Sequence, residues 1–281
     1  MAQTGVEMNN GAAGLRPPEE CAWSRESGAR AAVLSDPAWR APSAHPALGK
    51  DEVHVWRIPL EEPPPSRVAR LERLLDEAER QRVLRYRFAE DRRRFIITRG
   101  VLRFLLGAYL GADPGALTFR YGRHGKPALT GTPRRGALSF NVAHSHDLAL
   151  IAVAQRRALG VDLEYLRPID HAKLAARVLG PRERAAFDAL PEETRRRAFF
   201  DAWTRKEAFL KATGHGLSRP LRRLDLAPVT GGLQIIRAGA RRWVLRELHP
   251  DPGYTGALAV QGQGWQLVCW RWSWRTSGTG S

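Results

Sequence analysis

Cysteine, lysine and long apolar runs are scarce in this chain of 281 residues. The two cysteines, Cys21 and Cys269, make no disulfide framework, and neither sits at metal-ligand spacing. No apolar run approaches the roughly 20 residues that a membrane-spanning helix needs. The opening Met1-Ala-Gln-Thr-Gly-Val-Glu7 has neither the basic nor the apolar segment of a secretory leader. These absences predict a protein that works in a reducing, cytoplasmic compartment, away from membranes.

Of 45 basic residues only five are lysine, so 40 are arginine. Such a bias reflects codon preference in part, and the net charge of +16 assigns no function by itself. A basic surface attracts polyanions, whether nucleic acid, a phosphorylated cofactor or an acidic protein. The arginines are spread through helical stretches rather than interleaved with exposed aromatics, and no nucleic-acid-binding motif is present. A hydrophobic content of 43% suffices for one large or two small cores.

Residues 1–50 are rich in Ala, Gly, Pro and Ser and show no sustained periodicity. They are expected to form a mostly disordered tail, although Trp23 and Trp39 offer anchors. Asp51 to Ile58 alternates like a strand. A helix is predicted over Arg67 to Leu84, with Val68, Leu71, Leu75 and Ala78 on one face. Most arginines between Arg80 and Arg94 read as a solvated basic face. Phe95 to Leu110 reads as a core helix stopped by Gly111-Ala-Asp-Pro-Gly115, and Leu117 to Tyr121 as a short strand. Phe140 to His146 is expected to enter the same strand as Leu148 to Ala154. Further helices are predicted around Lys173 to Leu179 and Arg182 to Leu190, and strands at Arg242 to Leu248, Tyr254 to Val260 and Trp265 to Trp272. Trp270, Trp272 and Trp274 alternate, as for the aromatic cover of a core.

The chemistry-bearing stretch is Phe199 to Lys211, an uninterrupted helical pattern. Phe199, Trp203 and Leu210 fall on one stripe, and Glu207 falls on it too. A carboxylate in an apolar stripe needs compensation. Lys211, Lys206 or a metal ion would each provide it. A second stretch, Gly160-Val-Asp-Leu-Glu164, reads as a strand, so Asp162 and Glu164 project from one face. Two solvated acids on an edge strand satisfy that pattern, and so does a cation held between them. With Glu207 the three make a hard oxygen set suited to Mg²⁺.

Gly125-Lys-Pro127, Phe140-Asn-x-x-His-Ser145, Gly160-Val-Asp-x-Glu164, Trp203-x-x-Lys-Glu-Ala-x-x-Lys211 and Gly214-x-Gly-Leu217 occur in that order. The series, covering roughly residues 75 to 225, resembles the 4′-phosphopantetheinyl transferases of the larger, pseudo-dimeric, surfactin-synthetase-activating type. The resemblance implies an α+β fold with two similar subdomains related by a pseudo-twofold, each a small antiparallel sheet packed with a long helix. It implies a tail over 1–50, subdomains over 51–157 and 158–275, and a flexible end over 276–281.

It further implies transfer of the phosphopantetheinyl arm of coenzyme A to a serine of an apo acyl or peptidyl carrier protein, with release of 3′,5′-ADP, by a monomer. Asp162, Glu164 and Glu207 would hold Mg²⁺, with Mn²⁺ as an alternative. Glu207 would also serve as base, directly or through water, and Lys211 would neutralise or protonate phosphate. Arg82, Arg94, His144, Lys206 and Lys211 would contact the coenzyme, and Lys126 and Pro127 would bracket its adenine. Three positions depart from the family pattern. Ala143 replaces a serine, His146 stands where glycine is common, and Glu79 occupies the place of a basic phosphate contact. A non-catalytic relative that binds coenzyme A or carrier is the rival reading, and a basic nucleic-acid-binding protein is a more distant one.

Overall fold

The computed structural model describes residues 38–42, 45–61, 63–123, 125–131, 138–214, 220–226 and 233–274. The expectations for the tail before residue 38, Trp23 included, for Gly216-Leu217, and for the end beyond residue 274 lie outside the described residues. The fold is a mixed α+β arrangement with six α-helices among the described residues.

Two four-stranded sheets stack face to face, and alternation along the strands explains why. The first sheet has the order β10-β1-β5-β4: Gln266–Arg271, Glu52–Pro59, Leu148–Gln155 and Leu138–Ser145. Along β5, Ala149, Ile151 and Val153 enter one core, and Leu148, Leu150, Ala152 and Ala154 enter another. The period-two strand geometry thus gives this sheet two buried faces. One face packs against the 22-residue helix α3 (Ala89–Leu110) through Ile97, Val101 and Leu105. The other meets the second sheet, β6-β9-β8-β7 (Leu159–Tyr165, Tyr254–Gln261, Arg241–Leu248 and Leu233–Ala238), through Val161, Leu163, Leu258 and Val260. The far face of that sheet carries the 22-residue helix α6 (Glu192–Thr213), packed through Ala208 and Phe209 onto Trp243 and Leu245. Each long helix ends at a glycine in the left-handed region, Gly111 (φ 62°) and Gly214 (φ 74°), where a Cβ would be strained.

Several expectations are corrected. The helix over Arg67 to Leu84 is two helices, α1 (Pro65–Glu72) and α2 (Glu77–Leu84). Asp76 starts the second. Its Oδ1 accepts from the Glu79 amide at 2.9 Å, and Glu79 Oε2 accepts from the Asp76 amide at 3.0 Å, a reciprocal capping box. The new helix phase exposes Ala78 and buries Glu79 instead. Phe140 to Ala154 is not one strand but the hairpin of β4 and β5, turned at His146-Asp147 with His146 at φ 51°. The first sheet is not wholly antiparallel, because β10 comes back from the second half of the chain and pairs parallel to β1, Glu52 beside Gln266.

Two strands escaped the reading of the sequence: β7 in the second sheet, and β3 (Pro127–Leu129), which pairs with β2 (Phe119–Tyr121). The remaining helices α4 (His171–Val178) and α5 (Pro181–Asp188) lie where they were expected. Trp270, Trp272 and Trp274 cover the α3 core, as their alternation predicted. Ahead of β1, Trp39 donates from Nε1 to the His249 carbonyl at 3.0 Å, and Arg40 exchanges backbone hydrogen bonds with Cys269 and Arg271. No described helix is long and apolar enough to cross a membrane.

Candidate active site

The site lies where β6 meets α6. Val161 and Leu163 point into the core between the sheets, so Gly160, Asp162 and Glu164 point to the other side, toward α6. Gly160 permits the close approach. A side chain there would collide with the backbone at Ala208 and Ala212. Glu207 immediately precedes that contact on α6.

Asp162 and Glu207 are 6% and 8% exposed. Asp162 Oδ1 accepts from Lys211 Nζ at 2.6 Å, and Lys211 also donates to the Val161 carbonyl at 3.3 Å. Asp162 Oδ2 and Glu207 Oε1 are buried and have no hydrogen-bond partner. Burial raises the Asp162 pKa to about 6 despite Lys211. Burial, then the nearby Asp162, raises Glu207 to about 7. Glu164 is engaged elsewhere: its Oε2 accepts from Ser145 Oγ at 3.1 Å and from Arg167 Nη1 at 3.0 Å. Among the described residues no three His, Cys, Asp or Glu side chains already converge as a metal-binding group. The donor chemistry nevertheless fits a hard cation, since two buried, unpartnered carboxylate oxygens are what such an ion relieves.

Two cavities border the partners of these acids, Lys211 in one and Ser145 in the other, although none of the three acids lines either cavity. One of about 860 Å³ is lined by Lys126, Pro127, Phe140, Asn141 and Lys211 among others. One of about 440 Å³ is lined by Arg82, Arg94, Phe95, His144, Ser145 and His146 among others. Pro127 and Val142 line both. A third, of about 600 Å³, shares Arg82 and Tyr86 with the second.

The structure brings most of the expected residues together. Arg82 lies over the Phe95 ring, 5.1 Å from its centroid. Arg94 is held by Asp147 and Glu90, each at 2.7 Å. The His144 pKa is lowered, first by desolvation and then by the Lys211, Arg94 and Arg82 cations. Lys126 reaches across from the β2–β3 loop and donates to the carbonyls of Leu159 at 2.8 Å and Lys211 at 2.7 Å. Burial and the Lys211 charge lower its pKa to about 8.

Lys206 stands apart. It is fully buried, pairs with Glu183 at 2.5 Å and donates to the Val178 and Leu221 carbonyls. Its ammonium hydrogens are thereby committed to α4, α5 and the turn at Leu221–Arg223, and it lines neither of the two cavities.

Three supporting residues had no partner assigned from the sequence: Asn141 and Ser145 were read as motif letters, and His146 as a departure from the family's glycine. Asn141 Oδ1 accepts from the Val161 amide at 2.8 Å and locks β4 to β6. Ser145 Oγ accepts from the Tyr165 amide at 3.0 Å while donating to Glu164. It is therefore occupied, not a free substitute for the hydroxyl missing at Ala143. His146 stacks on Tyr165 at 4.8 Å and bonds Asp147 at 2.5 Å. The Phe-Asn-x-x-His-Ser spacing located these groups, but their cross-strand partners have no local signal.

Buried acids whose partners border cavities rich in arginine, lysine and histidine make a site for an anionic, phosphate-bearing ligand. Residues 158–259 match the 4′-phosphopantetheinyl transferase superfamily, and residues 62–156 match the 4′-phosphopantetheinyl transferase N-terminal family. The chain belongs to the 4′-phosphopantetheinyl transferases. It is 43% identical over 235 residues to the 4′-phosphopantetheinyl transferase HetI of Nostoc sp., covering 83% of this chain and 98% of that protein. It is 40% identical over 165 residues to a putative 4′-phosphopantetheinyl transferase of Synechocystis sp., 58% of this chain and 65% of that one. With the 4′-phosphopantetheinyl transferase Sfp of Bacillus subtilis the identity is 27% over 142 residues, 50% of this chain and 61% of that one.

Proposed function

We propose that this chain transfers the 4′-phosphopantetheinyl group of coenzyme A to a serine of an apo acyl or peptidyl carrier protein, in a Mg²⁺-dependent reaction. The observation that carries the cation is the buried pair Asp162 and Glu207, each with an oxygen lacking a partner. The serine Oγ bonds to the phosphorus that bears the pantetheine arm. The bond from that phosphorus to the bridging oxygen breaks, and 3′,5′-ADP leaves with the bridging oxygen. Mg²⁺, or Mn²⁺ in its place, held by Asp162, Glu164 and Glu207, would supply charge neutralisation for the pyrophosphate.

The remaining roles follow from placement. Glu207, with a pKa raised to about 7, suits a base that takes the serine proton near neutral pH, directly or through water. Lys211 steadies Asp162 and offers its charge to phosphate. Arg82, Arg94 and His144 line one cavity for the coenzyme's phosphates, and Lys126 and Pro127 border the larger one for its adenine. For Lys206 we propose support of α6 in place of coenzyme contact.

We further propose two halves related by a pseudo-twofold, over 51–157 and 158–275. The supporting feature is a 22-residue helix on each of two four-stranded sheets, the first of which takes three strands from the first half and β10 from the second. A monomer in the cytoplasm is the corresponding assembly and place.

The test is incubation with coenzyme A, Mg²⁺ and a panel of apo carriers, followed by intact mass. One added phosphopantetheinyl group, abolished by EDTA, is the expected result. Coenzyme A binding with no transfer to any carrier would favour the non-catalytic reading.

A further inference from the structure

Glu79 is 2% exposed, and beyond the capping box of its own helix its carboxylate bonds to two arginines of α3. Its Oε1 accepts from Arg99 Nε. Its Oε2 accepts from Arg103 Nε at 2.6 Å and from the Asp76 amide at 3.0 Å. Arg103, fully buried, also donates to Asp76 Oδ2 and to the carbonyls of Pro114 at 3.1 Å and Leu117 at 2.9 Å. Arg99 Nη2 donates to the Tyr121 hydroxyl at 2.7 Å, and its guanidinium lies 4.2 Å from the Phe119 ring centroid. One carboxylate therefore ties α2 to α3 and, through Arg99, to the end of β2.

The tied elements are two walls of one cavity. Arg82 follows Glu79 by three residues on α2, and Tyr121 ends β2. Both line the cavity of about 600 Å³, and Arg82 also lines the one of about 440 Å³. Helix α2 has eight residues and buries only Glu79 and Val83. A helix that short does not hold itself in water, so its pose depends on tertiary anchors, Glu79 and Val83 within it and the Arg103 bond to its N-cap Asp76. Arg82 has no carboxylate partner among the described residues. Its charge is free for a ligand, and nothing else of opposite charge fixes it. A packing contact alone needs no buried charges, and apolar side chains would supply it at least as well. What two charge-assisted bonds, one to each oxygen of the carboxylate, add is a fixed direction.

We infer that Glu79 is a positioning residue for coenzyme A. Glu79 borders the same cavity of about 600 Å³, but its carboxylate oxygens are taken up by Arg99, Arg103 and the Asp76 amide, so it acts through Arg82 and Tyr121 by holding α2 and β2 at the spacing that receives a phosphate-bearing ligand. The inference rests on the proposed role of Arg82. It gives a purpose to an acid standing where a cation was expected.

The experiment is a kinetic cycle on transfer to a carrier, with coenzyme A varied and carrier saturating. Glu79→Gln is expected to raise KM for coenzyme A about tenfold with kcat within about twofold of the parent, and Arg82→Ala is expected to do much the same. The double variant should be no worse than Arg82→Ala alone, to within about twofold, because both changes remove one interaction. Tyr121→Phe, at a half-exposed ring, should raise KM by about threefold. It carries the same cycle with Arg82→Ala if Glu79→Gln fails to fold. Multiplicative KM effects, or a lower melting temperature with KM unchanged, would overturn the positioning role alone. An unchanged KM in Arg82→Ala would overturn the phosphate assignment, and the inference with it.

Discussion

The ammonium of Lys211 stands 2.6 Å from Asp162 Oδ1, while the second oxygen of that carboxylate is buried without a partner. One lysine thus meets only part of the demand set by two buried acids. Asp162→Asn and Glu207→Gln should each weaken Mg²⁺ binding and lower transfer by at least about a hundredfold, the scale of losing one preorganised charge at a reacting centre. Calorimetric titration of Mg²⁺ and the mass of the carrier are separate readouts. Wild-type Mg²⁺ affinity in both variants would sink the assignment.

The same acids set a pH dependence. Both titrate higher in the folded chain than in the unfolded one, so the folded protein holds their protons more tightly. Their contribution to stability is full below the ordinary carboxyl range. It is lost as pH rises through about 6 for Asp162 and about 7 for Glu207. For Glu207, moved from 4.5 to about 7, the loss is about 3 kcal/mol above neutral pH. Without metal, Glu207→Gln should therefore gain stability relative to wild type between about pH 5 and about pH 8. Saturating Mg²⁺ should reverse the order at the upper pH. Thermal melts at both values check this, and a constant difference between the two proteins would refute it.

How much of this was readable beforehand depended on distance along the chain. Asp162 and Glu164 share a face because a strand has period two, and Glu207 shares the apolar stripe of α6 because a helix has period 3.6. Those are local facts, and they located the acids. The break between α1 and α2 was also local. Asp76-x-x-Glu79 is a capping box, but the spacing of Leu71 and Leu75 masked it. The hairpin turn at His146 was hidden because a left-handed residue there is usually glycine or asparagine. Non-local partners left no trace: the pairing of β10 with β1, Lys206 with Glu183, and Glu79 with Arg103, a separation of 24 residues.

The Lys206–Glu183 pair separates support from ligand contact. Desolvation lowers the Lys206 pKa and raises that of Glu183, each partly offset by the other's charge. Lys206→Met strands a buried carboxylate and should cost about 3–5 kcal/mol. Adding Glu183→Leu removes the stranded charge and should restore most of the stability. The double variant should then keep its KM for coenzyme A within about twofold of wild type. Recovered folding with a KM raised tenfold or more would return Lys206 to the coenzyme.

Gly160 couples the acids to the helix that faces them. A methyl group there would run into the Ala208 carbonyl and the Ala212 amide, and main chain cannot swing aside as a flexible side chain does. The helix must lift from β6, which pulls Glu207 away from Asp162 and loosens Ala208 and Phe209 from the Trp243 core. Gly160→Ala should therefore cost about 1–3 kcal/mol or more, the range for overpacking a dense core. The separation of the two carboxyls should also bring the apparent pKa of Glu207 down from about 7, since its neighbour's charge contributes to the rise. Denaturant melts read the first effect and carboxyl titration by NMR the second. Unchanged stability would mean that α6 does not rest on β6 at this glycine.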